Sequence, residues 1–395
     1  MNKLSLEVQY PKEEQLKLKL FLLQFLQLVL GAIFIGLYCY SFQPKYKDLQ
    51  YKELSETIVS IRAAGIFIIT WFVLLMFIQL WITPWEKKNT KELIFIFLSI
   101  TYIGLIISLI CLLWKMNFQQ NKLIITSWFK SDPKLIATYN RRSWQYILAI
   151  ILFIIMLQAL FCTFYTDSNT TKDFYYLNDS LSNVTNSKRY SGLWFMSLHY
   201  FTVQTNLLCL FFIMLFVINP GQKIFRANAF LIYCTTYILV VGLVYDLILL
   251  PVNITSGETS KWNWYNWYST VVLHFVDPIL FVIFGLLLIT HKRKFDGLNF
   301  LDYLFWGSLI PIAYLVYAGA CSFVSPVSVY GYFTNLNPLV CTSDDPNSSG
   351  QIWRIVIILG FGIIFVGLNI GGYFIDRISI KKSFLKLPSL SKREM

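Results

Sequence analysis

Nine apolar runs of about 20 residues, at about 19–40, 63–83, 93–114, 144–165, 193–218, 228–250, 269–290, 304–321 and 352–375, constrain this chain more than anything else in it. Each is long enough to carry a helix through roughly 30 Å of hydrocarbon. No water is available there to satisfy backbone N–H and C=O groups, so a spanning segment is either a helix or one strand of a closed barrel. Barrel strands alternate apolar and polar residues, whereas runs such as 147–157 are continuously apolar. The sequence therefore predicts an all-α, polytopic transmembrane helical bundle of about nine spans. Composition agrees, because 56% of the 395 residues are hydrophobic and only 14% are charged, too few to cover the surface of a soluble domain.

The net charge of +12 sits in short segments between spans rather than on one soluble face, which speaks for membrane orientation and against nucleic acid as a partner. His291 and Lys292 to Lys294, Lys223 with Arg226, the group from Lys115 to Arg142, and Lys381 to Arg393 mark the expected cytoplasmic side, with the C-terminus there. The loops 166–192, 251–268 and 322–351 are expected outside the cell membrane. They hold five Asn-X-Ser/Thr triplets, at Asn169, Asn178, Asn183, Asn253 and Asn347, which are acceptors only in a glycosylating host. Counting back through nine spans puts Met1 outside, yet Lys3, Lys12, Lys17 and Lys19 favour the inside. One early span is thus expected to be re-entrant, interfacial or misread. Residues 1–17 are charged and the first apolar run lacks a small-residue cleavage site, so that run reads as a retained anchor. The partition is an N-terminal extension of about three spans over 1–143, a six-helix core over 144–376 and a basic tail over 377–395. Of the seven cysteines, Cys321 and Cys341 alone fall where an oxidising exterior would let them pair, and the other five read as packing residues inside spans.

Chemistry enters through polar interruptions of the greasy runs. His199, Thr202 and Asn206 recur at helical spacing in one span, with Thr205 near the edge of that face and Gln204 to one side. His274 and Asp277 lie three apart in another, followed by Pro278, which frees a carbonyl and bends a helix; Tyr245 and Asp246 end the span between. At about 1.5 Å per residue Thr202, His274 and Asp246 all fall in the outer half of the membrane. Ionisable groups there are costly, and several at one depth mark a site. A threonine hydroxyl becomes a nucleophile when an imidazole takes its proton, with a carboxylate fixing the ring; Thr202 or Thr205 with His274, oriented by Asp277 or Asp246, meets that need. No nucleophile elbow, Walker loop, dinucleotide fingerprint or Cys-x-x-Cys is present, and no cofactor is expected. The aromatic run from Trp262 to Tyr268 reads as an interfacial belt.

Four stretches, Tyr200 to Leu208 (YFTVQTNLL), Val241 to Tyr245 (VGLVY), Leu273 to Pro278 (LHFVDP) and Pro311 to Tyr317 (PIAYLVY), resemble in order and spacing the bacterial Pr6Pr membrane proteins. Those proteins are similar in turn to the eukaryotic androgen-induced protein family. The resemblance covers about residues 144–376. It implies an intramembrane hydrolase that cleaves fatty-acid esters of hydroxy fatty acids, with the nucleophile on Thr202, or Thr205 beside it, and the base on His274. Where that family carries Tyr-Pro-Tyr-Pro-Phe, this chain has Val329-Tyr-Gly-Tyr-Phe333, with glycine in place of proline.

Three functions compete. In the first, a lipid-ester hydrolase acts on acyl chains, with Asn206, Gln204 or a tyrosine such as Tyr245 or Tyr317 supporting the oxyanion. In the second, a non-catalytic binder or transporter uses His199, Asp246, His274 and Asp277 as a proton- or cation-linked pocket for a lipid or small solute. In the third, two histidines and two aspartates hold a hydrolytic zinc ion. Membrane lipid or an acyl substrate is the expected partner in the plasma membrane.

Overall fold

The computed structural model describes residues 12–41, 56–83, 90–131, 144–169, 172–175, 187–190, 197–198, 200–226, 228–255, 257–291, 298–324 and 349–381. It shows the polytopic helical bundle that the apolar runs require. Among the described residues eight helices are long and apolar enough to cross a membrane, or nine if one bent pair counts as a span. Large apolar side chains point outward along them: Ile103 is 73% exposed and Phe161 73%. Such a surface has no place in water and suits lipid. The chain divides into two compact units, one from Met1 to Lys130 and one from Ser131 to Met395.

In the first unit α1 (Lys12–Ser41) packs on α2 (Glu56–Ile82), followed by α3 (Thr90–Leu98), α4 (Tyr102–Lys115) and α5 (Phe118–Phe129). The single span expected at 93–114 is broken. Thr101 caps α4 by accepting from Gly104 N at 3.1 Å, and Asn117 caps α5 by accepting from Gln120 N at 3.2 Å. α4 and α5 meet at 98°, the geometry of a broken span or a re-entrant loop. These caps defeat a reading by hydropathy alone, because one polar residue barely changes a window mean while it ends a helix.

The core of this unit is polar as well as apolar. Gln24, Gln27, Gln79 and Ser108 are all buried. Gln24 donates to Gln79 Oε1 (3.1 Å) and Phe95 O (3.2 Å), Gln79 donates to Gln27 Oε1 (2.8 Å), and the Ser108 hydroxyl donates to Gln24 Oε1 (2.7 Å). Paired amides of this kind bind helices together in hydrocarbon, where apolar surface supplies no drive.

The second unit contains α6 (Trp144–Asn169), a short antiparallel hairpin of β1 (Lys172–Tyr175) and β2 (Ser187–Tyr190), α7 (Phe201–Ile218), α8 (Ala229–Val244) and α9 (Leu250–Thr255). α10 (Trp264–Val271), α11 (Asp277–His291), α12 (Phe300–Val324) and α13 (Ser349–Lys381) complete it. The hairpin, with Asp173 opposite Arg189, lies in the expected outer loop 166–192 and is, among the described residues, the one extended element, which the sequence did not announce. α7 packs on α6 and α8, α8 on α11 and α13, and α12 on α13.

Prolines set the polar contacts of this unit. Pro311 lacks the N–H that Gly307 O would otherwise accept. That carbonyl instead accepts from the Tyr237 hydroxyl at 2.6 Å and Asn369 Nδ2 at 2.5 Å. Pro251 and Pro278 each follow a π-helical turn, Tyr245–Leu249 and Val272–Val276. In both, the residue just before the proline donates five residues back: Leu250 N to Tyr245 O and Asp277 N to Val272 O. With the next donor missing, the ladder shifts register at these points.

Of the sequence expectations, His199, the triplets at Asn178, Asn183 and Asn347, Cys341 and the stretch 329–333 lie outside the described residues.

Candidate functional site

The two π turns face each other and bring their aromatic residues together. The Tyr245 ring lies on the His274 imidazole with centroids 3.6 Å apart and 23° between planes. Thr270 fixes both rings. Its carbonyl stands 2.9 Å from His274 Nδ1, and its side chain, with that of Asn253, hydrogen-bonds the Tyr245 phenol. A carbonyl only accepts, so Nδ1 carries a proton, and in the neutral imidazole the lone pair is then on Nε2. His274 is thereby set as a neutral base without a carboxylate.

Neither Asp277 nor Asp246, expected to orient the ring, is hydrogen-bonded to it among the described residues. His274 and Asp277 would share a face of an α-helix, but a π turn takes more residues to go round, so residues three apart are turned away from each other. Asp246 occupies the other π turn, half-buried. Asp277 is 0% exposed, and neither of its oxygens has a hydrogen-bond partner among the described residues.

Asn206 ties the threonine helix to this turn. Its Nδ2 donates to Thr202 O at 2.9 Å and to Leu273 O at 3.3 Å. Leu273 O needs that donor, because Asp277 N is committed to Val272 O and Pro278 has no N–H. The backbone at Thr202 is thus held against the backbone one residue before His274. Gly242 of α8 closes the third side: a Cβ there would come within 2.9 Å of His274 O and 3.1 Å of Pro278.

Thr202 is half-buried in the first turn of α7, whereas Thr205 is 2% exposed. Among the described residues neither hydroxyl is hydrogen-bonded to His274. Tyr200 supplies no side-chain cap to α7, and Phe201 N donates to the Tyr314 hydroxyl at 3.1 Å. The N–H groups of Thr202 and Val203 therefore have no acceptor within the helix. They lie in the first turn with Thr202, at the positive end of a helix dipole.

Of the amides expected to support an oxyanion, Asn206 has both N–H groups engaged and Gln204 has one of its two. Gln204 Nε2 donates to Leu198 O at 2.8 Å, and Asn206 uses its nitrogen on two carbonyls. Side-chain amides in hydrocarbon go to the nearest orphaned carbonyl, and proline and helix ends create those carbonyls here. Tyr317 is buried beside Tyr314, their centroids 6.0 Å apart, in the aromatic packing around Phe201.

No three His, Cys, Asp or Glu side chains converge on a metal position among the described residues, and His199, which the zinc reading needs, lies outside them. Sequence reasoning missed Thr270 and Asn253. The signal was faint, since a threonine one helical turn before a histidine is ordinary in a membrane helix.

Residues 267–382 match the family model described as protein of unknown function, DUF1600, a stretch that includes His274 and Asp277 but not Thr202. Two relatives, both named as uncharacterized proteins of Mycoplasma genitalium, are similar to the chain. MG452 is 26% identical over 175 residues, 42% of this chain and 60% of its own length. MG133 is 24% identical over 214 residues, 47% of this chain and 78% of its own length. This chain thus spans less than two thirds of MG452. No solved structure matches.

Proposed function

We propose that the protein is an intramembrane hydrolase of fatty-acyl esters in which Thr202 is the nucleophile and His274 the base. The observation that carries this reading is the His274 ring, held by the Thr270 carbonyl on Nδ1 and by the Tyr245 face, with Nε2 left to accept a proton. The resemblance to the Pr6Pr and androgen-induced proteins supports it. Nε2 takes the Thr202 hydroxyl proton as Oγ1 attacks the acyl carbonyl, and the oxyanion is met by the backbone N–H groups of the first turn of α7. His274 then protonates the departing alcohol. Water, deprotonated by the same nitrogen, releases the fatty acid and restores threonine. Burial of Thr205 favours Thr202 over it. The positive-inside distribution of the basic segments supports a cytoplasmic C-terminus, and with it an ester in the outer half of the plasma membrane.

Labelling purified protein with a fluorophosphonate or a long-chain activated ester, followed by mass spectrometry, tests this directly. The expected adduct is on Thr202 and is lost in His274→Ala. An adduct on Thr205 reassigns the nucleophile, and no adduct under several probes removes the hydrolase.

A second reading, a non-catalytic binder or transporter of a lipid or solute, is favoured by one observation: the unpartnered carboxyl of Asp277 inside a span. Movement of intact substrate that is abolished by Asp277→Asn would establish it.

A further inference from the structure

Where α7, α8 and α11 meet, three buried oxygen atoms have no hydrogen-bond partner among the described residues. They are both carboxyl oxygens of Asp277 and Oδ1 of Asn206, each on a residue 0% exposed. Asn206 contacts the turn leading into Asp277 through Leu273 O. Cys209 shares the Asn206 face of α7 at three residues' spacing, lies within electrostatic reach of Asp277, and directs its thiol to Cys234 O of α8 at 3.6 Å. Asn206 and Asp277 therefore look onto one junction, and its polar inventory is lopsided. The amide nitrogen of Asn206 is consumed by two carbonyls, and Pro278 removes the donor that His274 O would have accepted. Acceptors are in excess, and among the described residues no lysine, arginine or histidine pairs with the carboxyl.

We propose that Asp277 and Asn206 form a site for a dehydrated monovalent cation of sodium's class, ligated by the carboxylate and the amide oxygen at the π turn. Oxygen donors from carboxylate, amide and carbonyl suit a hard cation. Charge decides the valence: one carboxylate neutralises one positive charge, and a divalent ion would leave a net charge buried in hydrocarbon. Backbone opened by an irregular turn at mid-helix is also where membrane bundles present carbonyls to such ions. The proposal does not require His274 to be catalytic. A bound cation would pin α7 to the π turn and so fix Thr202 relative to His274.

Radioactive sodium binding to the purified full chain in detergent tests it, with the melting temperature followed in sodium chloride against choline chloride at equal ionic strength. Expected are saturable binding displaced by unlabelled sodium but not choline, a higher melting temperature in sodium, and no binding in Asp277→Asn. Asn206→Ala should weaken binding on the order of ten- to hundred-fold, as losses around metal sites do. If Asp277→Asn fails to fold, the wild-type binding curve and Asn206→Ala decide. Absence of saturable binding with sodium-independent melting overturns the proposal and makes Asp277 a protonated acid donating to Asn206 Oδ1. Equal binding by either variant also overturns it, since the ion then sits elsewhere. Probe labelling of Thr202 is read separately, so failure of the cation site and failure of the hydrolase are distinguishable.

Discussion

Tyr245 covers the face of His274 at 3.6 Å between ring centroids, and each residue sits in its own π turn just ahead of a proline. Two irregular turns, otherwise costly, are thus placed against each other so that a phenol and an imidazole stack. Strain of this sort is kept where surrounding structure enforces it, commonly at functional positions.

Removing the stack tests whether it orients the base. Tyr245→Leu should slow probe labelling of Thr202 by about two- to tenfold, since an aromatic pair is worth about 0.5–1.5 kcal/mol beyond its burial. Tyr245→Phe keeps the ring and loses only the phenol's hydrogen bonds, so it should label between wild type and Tyr245→Leu. Equal rates in wild type and Tyr245→Leu would show that the ring only packs.

Thr270 acts on both rings through different atoms, so its side chain is separable from its carbonyl. Thr270→Val deletes the bond to the Tyr245 phenol while leaving the carbonyl on His274 Nδ1. Labelling should fall less than in His274→Ala, by a factor consistent with one neutral hydrogen bond of about 1 kcal/mol. Loss as complete as in His274→Ala would mean that the hydroxyl itself takes part in the reaction.

Gly242 is required by the approach of α8 to the His274 carbonyl. A Cβ 2.9 Å from a backbone oxygen forces the helices apart, and Gly242→Ala should lower stability by about 1–3 kcal/mol, as overpacking does. Thermal unfolding in detergent measures it. An unchanged melting temperature would show that the junction yields.

In the first unit, Gln79→Leu leaves Gln27 Oε1 without its donor and Gln24 Nε2 with Phe95 O alone. A lost interhelical bond in a membrane protein averages about 0.6 kcal/mol, and the orphaned amide oxygen adds to that, so destabilisation of about 1–2 kcal/mol is expected. Replacing Gln24, Gln27 and Gln79 together by leucine should recover part of the loss, because no buried amide then lacks a partner. A triple variant less stable than Gln79→Leu would argue against a purely structural network.

The carbonyl of Gly307 makes the same point in the second unit. Asn369→Leu and Tyr237→Phe each remove one of its two donors. Either alone should cost little, and the pair together more than the sum, a coupling that a double-mutant cycle reads.

The spans were legible in the sequence because crossing hydrocarbon is a local demand: about 20 apolar residues suffice wherever they occur. Ala229–Leu247 and Trp264–Ile289 accordingly fall near their expected limits, while the run at 93–114 does not, because Thr101 caps a new helix within it. Depth and residue type also picked out His274, Asp277 and Asn206, since polar groups are rare in such runs. What each side chain touches was not legible. Facing directions were inferred from α-helical periodicity, and the π turns changed them, parting Asp277 from His274 and bringing Tyr245 onto it. Likewise, Gln204 and Asn206 were drawn to carbonyls that exist only because neighbouring helices end or a proline interrupts them. Sequence alone determined a membrane-spanning helical bundle with polar residues at a common depth, because hydropathy is additive along the chain. Only the tertiary structure decided which of those residues meet, because hydrogen-bond partners in hydrocarbon are chosen across helices.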